Sequence, residues 1–189
     1  MYQLLNTSDW IGMKRGKRNC LVSIFVVMIM LLSQSVAYAE TAWEVGAKEI
    51  GIVKEFSNAN MARMIGMLRG QLISSFEISI TDRGNGTVGL FGDVLCHEPM
   101  SEIRMNLYLD IWNDTDSDWE NVDDYQFIWK ASDIPGEDLT AAVVAFDVKG
   151  LERGRDYRLR GLAGARNLDS TLQESWRGET STIQVQSLN

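Results

Sequence analysis

Cys96 and His97 stand side by side, and His97 is the only histidine in the chain. A thiol becomes a nucleophile when an imidazole faces it. Neighbouring side chains on an extended chain point to opposite sides, so these two are not expected to meet. A triad with a histidine base would have to use His97 itself. A zinc site needs about four ligands, of which this pair supplies two at most. The expected role of Cys96 is that of a buried structural thiol, with a disulfide between two copies as the alternative. The other cysteine, Cys20, falls in the amino-terminal leader considered below.

The acidic stretch offers a second chemistry. Asp114, Asp116 and Asp118 alternate, and Glu120, Asp123 and Asp124 follow. Carboxylates at alternate positions can converge on a hard cation such as calcium. An EF-hand loop needs Gly at its sixth place and Glu at its twelfth; counted from Asp114, those places hold Trp119 and Tyr125. The simpler expectation is a solvated connection, Asn113 to Asp124, whose charge discourages edge-to-edge pairing. Calcium at Asp114, Asp116 and Asp118 is the alternative, and no other cofactor is expected.

Tryptophans offer a third chemistry, because flat rings stack on sugar faces. A β-rich core uses most of its aromatics for packing. Trp119 and Trp176 lie in polar stretches and are therefore the candidate ligand contacts. Glu77, Asp82, Glu98 and Glu102 show no spacing that sets two carboxylates at a glycosidase separation. Gly84 and Gly86 belong to a hairpin turn rather than to a phosphate-binding strand-to-helix loop. No catalytic residue is assigned.

The elements that must position these groups read as strands. After a turn at Gly154, Tyr157, Leu159, Gly161 and Ala163 alternate with Arg158, Arg160 and Leu162. Strict alternation marks a strand with one buried face. A tyrosine placed two residues before a buried Leu resembles the tyrosine corner of immunoglobulin-like sandwiches, so Tyr157 and Gly161 are expected to be structural, as is Cys96. Ile103, Met105, Leu107, Leu109 and Ile111 alternate over the clearest strand. Phe76, Ile78 and Ile80 lead through Asp82-Arg83-Gly84-Asn85-Gly86 to Val88 and Leu90, a hairpin signal carried by residues that accept positive φ. Further strands are expected at Tyr125–Ala131, Leu139–Val148 and Thr182–Gln186, with a turn at Pro135-Gly136 and a long polar loop from Arg166 to Thr180. Upstream, Met61, Met64, Ile65 and Leu68 have helical spacing, with Asn60 as cap and Gly70 as stop. The expected fold is an all-β, antiparallel immunoglobulin-like sandwich of about seven strands over residues 71–189, preceded by a leader segment, 40–70, with a short helix.

The stretch from Met1 to Ala39 has the three parts of a secretory signal: Lys14, Arg15, Lys17 and Arg18, an apolar run from Cys20 to Leu32, and Ala37-Tyr38-Ala39. The apolar run has about 13 residues, against roughly 20 for a bilayer span. Cleavage after Ala39 and secretion are expected, and Met13, directly before the basic cluster, is a candidate start of translation. The whole chain carries a net charge of −8. The leader holds four basic residues and one acidic residue, so its removal makes the protein more acidic still. Strong acidity argues against nucleic acid and anionic lipid as partners. It leaves an extracellular protein or a glycan, and no membrane contact after cleavage.

Four stretches carry a family resemblance: Arg69-Gly70-Gln71-Leu72, Ile80 to Val88, Leu107-Tyr108-Leu109-Asp110-Ile111-Trp112 with Trp119 soon after, and Tyr157 to Gly161. Together, over roughly 69–185, they resemble a group of small secreted bacterial proteins of unknown function, found mainly in Gram-positive anaerobes. The resemblance implies an immunoglobulin- or fibronectin-type-III-like sandwich. It implies no activity, since the group has no established catalytic or binding residues; this chain departs from it in the longer acidic connection. The functional expectation is a secreted, non-enzymatic interaction module. The alternatives are a calcium- or carbohydrate-binding domain, and a hydrolase with an unrecognised carboxylate site.

Overall fold

The computed structural model describes Trp43 and residues 46–49, 54–58, 60–67 and 70–186. The expected signal sequence and the candidate start at Met13 lie outside the described residues. Eleven strands are present among them: β1 (Lys48–Glu49), β2 (Lys54–Asn58), β3 (Met61–Met67), β4 (Ile73–Gly84), β5 (Thr87–Cys96), β6 (Met100–Asn113), β7 (Asp118–Lys130), β8 (Ala141–Lys149), β9 (Asp156–Asn167), β10 (Gln173–Glu179) and β11 (Ile183–Gln184). They form two sheets. One runs β2-β3-β4-β5-β8; the other runs β1-β10-β9-β6-β7, with β11 pairing the start of β9.

Strands β4 to β10 have immunoglobulin-like connectivity. If they are lettered A, B, C, C′, E, F and G, one sheet contains A-B-E and the other G-F-C-C′, each letter beside the neighbour that sandwich topology requires. All these pairings are antiparallel. The β4–β5 turn is tight because Asn85 and Gly86 both have positive φ, the left-handed conformation that a two-residue hairpin needs.

The core lies between the sheets. Ile103, Met105, Leu107 and Leu109 of β6 are fully buried and face Phe76, Ile78 and Ile80 of β4 and Val88, Leu90 and Val94 of β5. Burying one such side chain contributes roughly 1.5–3 kcal/mol. Gly161 sits where the layers come close: a Cβ there would lie 2.7 Å from Phe76 Cζ and 2.9 Å from Ile78 Cγ2. Tyr157 is buried, and its hydroxyl donates to the Glu152 carbonyl at 3.3 Å. That bond defines a tyrosine corner. At the side where β7 and β8 approach, half-buried rings close the sandwich: Phe146 lies 4.8 Å from Tyr125 and 5.7 Å from Phe127, and Phe127 stacks on Trp129 at 6.0 Å.

Three expectations need correction. The helix expected at 60–70 is strand β3. Its residues pair with β4 from Met61↔Thr81 to Met67↔Ser75, with Ala62 and Met64 turned into the core. A five-residue β2 completes a hairpin whose turn is held by Asn58 Oδ1, which accepts from the backbone N–H of Asn60 and of Met61, both at 2.9 Å. The sheet therefore begins before Gln71. The acidic connection is shorter than expected: only residues 114–117 turn, and β7 starts at Asp118. The polar loop at 166–180 contains strand β10, which pairs with β9 from Gln173↔Arg166 to Glu179↔Arg160.

Glu174 ties the two sheets together. Its carboxylate is 5% exposed and accepts from the backbone N–H groups of Leu72 (2.9 Å) and Ile73 (3.1 Å), at the start of β4. Lys48 of β1 adds an ion pair at 3.2 Å.

Candidate functional site

On β9 the side chains of Arg158, Arg160 and Leu162 stand on the face away from the core, as alternation requires. On β6 the corresponding positions are Arg104, Asn106, Tyr108 and Asp110. The β6–β9 register sets Tyr108 opposite Arg160 and Asp110 opposite Arg158. The β6–β7 register brings Asn121 opposite Asp110 and Asp124 opposite Tyr108. The outer face of this sheet is thus a grid of complementary groups, contributed here by three strands, β9, β6 and β7.

Asp110 is its anchor, with its side chain 1% exposed. Arg160 clasps the carboxylate with Nε at 2.6 Å and Nη2 at 2.9 Å, and Arg158 Nε adds a bond at 3.1 Å. Burial pushes the Asp110 carboxyl up, but hydrogen bonds and charge from Arg160, then Arg158 and Asn121, outweigh it and hold the carboxyl below its usual range. The guanidinium of Arg160 lies 5.1 Å from the Tyr108 ring centre, and that of Arg158 lies 4.5 Å from Trp119. Both separations fit a cation–π contact. Arg158 also meets Glu179 at 2.9 Å, and Arg177 meets Glu49 at 3.1 Å.

Beside this cluster lies an open cleft of about 670 Å³, walled by Glu49, Arg177 and Glu179 on one side and by Asn121 and Asp124 on the other. Tyr108, Arg160 and Leu162 form its floor. The volume is within the range of small-ligand sites. Its arginines serve as oriented donor arrays rather than as bases, since each guanidinium is held by a carboxylate. Beyond the cleft, Trp43 is pressed onto the same face, 3% exposed, with Arg104 at 5.2 Å and Arg166 at 5.3 Å from its ring. Gly164 makes room for that ring: a Cβ there would lie 2.5 Å from Trp43 Cε3. Ser175 Oγ donates to the Trp43 carbonyl at 2.8 Å.

The candidate metal and ligand residues singled out from sequence lie outside the lining of this cleft. Trp119 is not on an exposed loop: it is half-buried on β7 and packs edge-on against Trp112 at 5.3 Å. Trp176 is likewise a strand residue, half-buried on β10 with Lys48 Nζ 5.1 Å from its ring. Asp114 and Asp116 stand in the turn and Asp118 opens β7. Asp116 accepts from Asn113 Nδ2 at 3.1 Å, and Asp118 from the N–H of Trp119 at 2.7 Å. Among the described residues no three His, Cys, Asp or Glu side chains gather closely enough to hold a metal ion. Cys96 is buried and unpaired while His97 is exposed, so the two point apart.

Burial, and then the charge of Glu174, push the Cys96 thiol up to about 12. Alkylation by iodoacetamide at pH 8 should therefore run at least about 100-fold slower in the native protein than in denaturant, because the reactive species is the exposed thiolate. Equal rates under both conditions, read by mass spectrometry, would show the site to be open.

Sequence reasoning missed Asp110, Arg158, Arg160 and Glu174 as functional or tying groups. Their shared outward parity was visible; the register that sets acid beside base was not. No protein-family model matches the chain, and no curated protein matches it either. Among the described residues, no helix is long and apolar enough to cross a membrane.

Proposed function

We propose that the protein is a secreted, non-enzymatic immunoglobulin-like module that binds an extracellular protein or glycan through the outer face of its β10-β9-β6-β7 sheet. One observation carries this reading: the arginines that line the cleft of about 670 Å³ are already locked in ion pairs, Arg160 with Asp110 and Arg177 with Glu49. Preorganised polar groups lose little entropy on binding, which suits recognition. The signal-like stretch from Met1 to Ala39 and the acidity of the chain support an extracellular setting. The resemblance to small secreted proteins of Gram-positive anaerobes agrees with the same reading.

A glycan is the second form of the proposal. It is favoured by the cleft's composition rather than by Trp119 or Trp176. A hydroxyl needs a donor and an acceptor together, and the cleft offers guanidinium, amide and carboxylate groups around the Tyr108 ring.

The test uses protein lacking residues 1–39, presented to a glycan array and to the native extracellular milieu. A binder that weakens at least about tenfold with Tyr108→Ala or Arg160→Ala, yet is unaffected by Thr81→Ala on the other sheet, supports the reading. A binder indifferent to both cleft substitutions overturns the assignment of the face. Turnover of an ester, peptide or glycoside that a single Asp or Glu substitution abolishes overturns the non-enzymatic reading.

A further inference from the structure

Strand β8 ends the β2-β3-β4-β5-β8 sheet, and no other described strand lies along its far side. In constant-type immunoglobulin sandwiches the equivalent strand, E, is flanked by a strand D. The hydrogen-bond parity of this edge can be derived. Cys96 N–H donates to the Thr140 carbonyl at 2.8 Å, and the β5–β8 register continues from Leu95↔Ala141. Residues 142, 144, 146 and 148 therefore bond to β5, because hydrogen-bonded pairs alternate in an antiparallel ladder. The N–H and C=O groups of Ala141, Val143, Ala145, Asp147 and Lys149 point to the open side. Leu139 agrees with this parity: its carbonyl accepts from Met100 on that side, just before the strand begins.

The same residues carry an apolar outer face. Val143 is 60% exposed, and Leu95, beside Ala141 on β5, is 45% exposed. No charge occurs between Ala141 and Phe146. The other edges differ. Strand β7 carries Asp118, Glu120, Asp123, Asp124 and Lys130, and its ladder with β6 is broken by a register shift at Leu109/Asp110. Strand β1 is Lys48–Glu49, and β2 begins Lys54-Glu55. Short length, charge and bulges are the devices by which soluble proteins block edge pairing, and β8 alone lacks them over most of its length.

We propose that the open edge of β8 pairs antiparallel with β8 of a second copy of this chain, joining the two five-stranded sheets into one continuous sheet across a two-fold axis. The sequence is self-complementary for that arrangement. With Ala145 opposite its own mate, Val143 falls opposite Asp147 and Ala141 opposite Lys149, so like charges are never opposed. The strand has one acid and one base, a neutral strip on a chain of net charge −8, so it is the place where two acidic copies approach with least repulsion. Two-fold dimers are the commonest closed assembly and use one patch on both subunits. The edge belongs to the sheet opposite the proposed binding face, so the two proposals stand or fall separately.

Sedimentation of the protein lacking residues 1–39, from about 1 µM to about 1 mM in reductant, tests the proposal. The expected result is a mass that doubles with concentration. Val143→Glu should raise the dissociation constant at least about tenfold, because in this register it sets a carboxylate opposite Asp147 on both sides of the two-fold. Ala145→Pro should do the same, since it removes an N–H from the open edge while leaving the β5 ladder intact. If Ala145→Pro does not fold, Val143→Glu decides, because that side chain stands in solvent. Hydrogen exchange gives an independent reading: the amides of Ala141, Val143, Ala145 and Asp147 should gain protection on dimerisation, while those of Ala142, Val144 and Phe146 are protected throughout. A single-chain mass at every concentration, or a dimer whose strength and exchange pattern ignore Val143→Glu, overturns the proposal.

Discussion

Glu174→Ala should destabilise the domain by about 3 kcal/mol, because it leaves two buried backbone N–H groups, those of Leu72 and Ile73, without an acceptor at roughly 1–3 kcal/mol each. The lost ion pair adds little, since the Lys48 side chain is largely exposed to solvent. For a domain of this size the melting temperature should fall by about 6–12 °C. The substitution also bears on pH. Burial pushes the Glu174 carboxyl up, but the two backbone N–H groups and then Lys48 outweigh it, leaving the carboxyl below its usual range. A carboxyl depressed in the folded state contributes stability that is fully present above its unfolded value of about 4.3 and is lost as the pH falls through the folded value. Wild-type stability should therefore decline more steeply than that of Glu174→Gln as the pH drops below about 5. Equal slopes in urea titrations across that range would show that Glu174 does not link the sheets through its charged form.

Asp110→Ala should cost about 3 kcal/mol as well. It removes a carboxylate that is 1% exposed and leaves Arg158 and Arg160 facing each other with no shared partner. The cost falls at the low end of the range for a broken buried pair, because Arg160 is 40% exposed and can regain water. A shift in the urea midpoint with an unchanged slope would check the magnitude and confirm an intact fold. At temperatures where the variant remains folded, ligand binding at the cleft should still weaken, because Arg160 is released from the orientation that Asp110 imposes. A variant as stable as wild type would show that the cluster is held by something other than this carboxylate.

Much of the fold was legible in the residues. The β6 alternation from Ile103 to Ile111 is strict, and only a pleated strand puts all five side chains on one face. Asn85-Gly86 announced the β4–β5 hairpin because few other residues take two successive positive φ angles. Tyr157 announced the corner before β9. Three elements were misread, each for a physical reason. The apolar residues of β3 fall on both sides of the strand and so show no period of two, and only pairing with β4 made the segment a strand. The charges from Asp118 to Asp124 concealed the first half of β7, whose second half was expected from Tyr125, because an edge strand tolerates charge on its exposed face. In β10, Glu174 and Ser175 are buried polar residues, satisfied by the Leu72 and Ile73 N–H groups and by the Trp43 carbonyl, so the segment lacks an apolar signature.

By itself the sequence determined which side of β4, β5, β6 and β9 is apolar, where the chain turns tightly, and that the protein is acidic. These are properties of neighbouring residues, and local geometry is enough to express them. Only the tertiary structure decided that Asp110 meets Arg158 and Arg160, that Glu174 reaches across to Leu72, and that β8 ends its sheet among the described strands. Each depends on which strands become neighbours and in what register. A pleat reveals the face on which a side chain stands, but the identity of the side chain beside it is set by pairing between residues far apart in the chain.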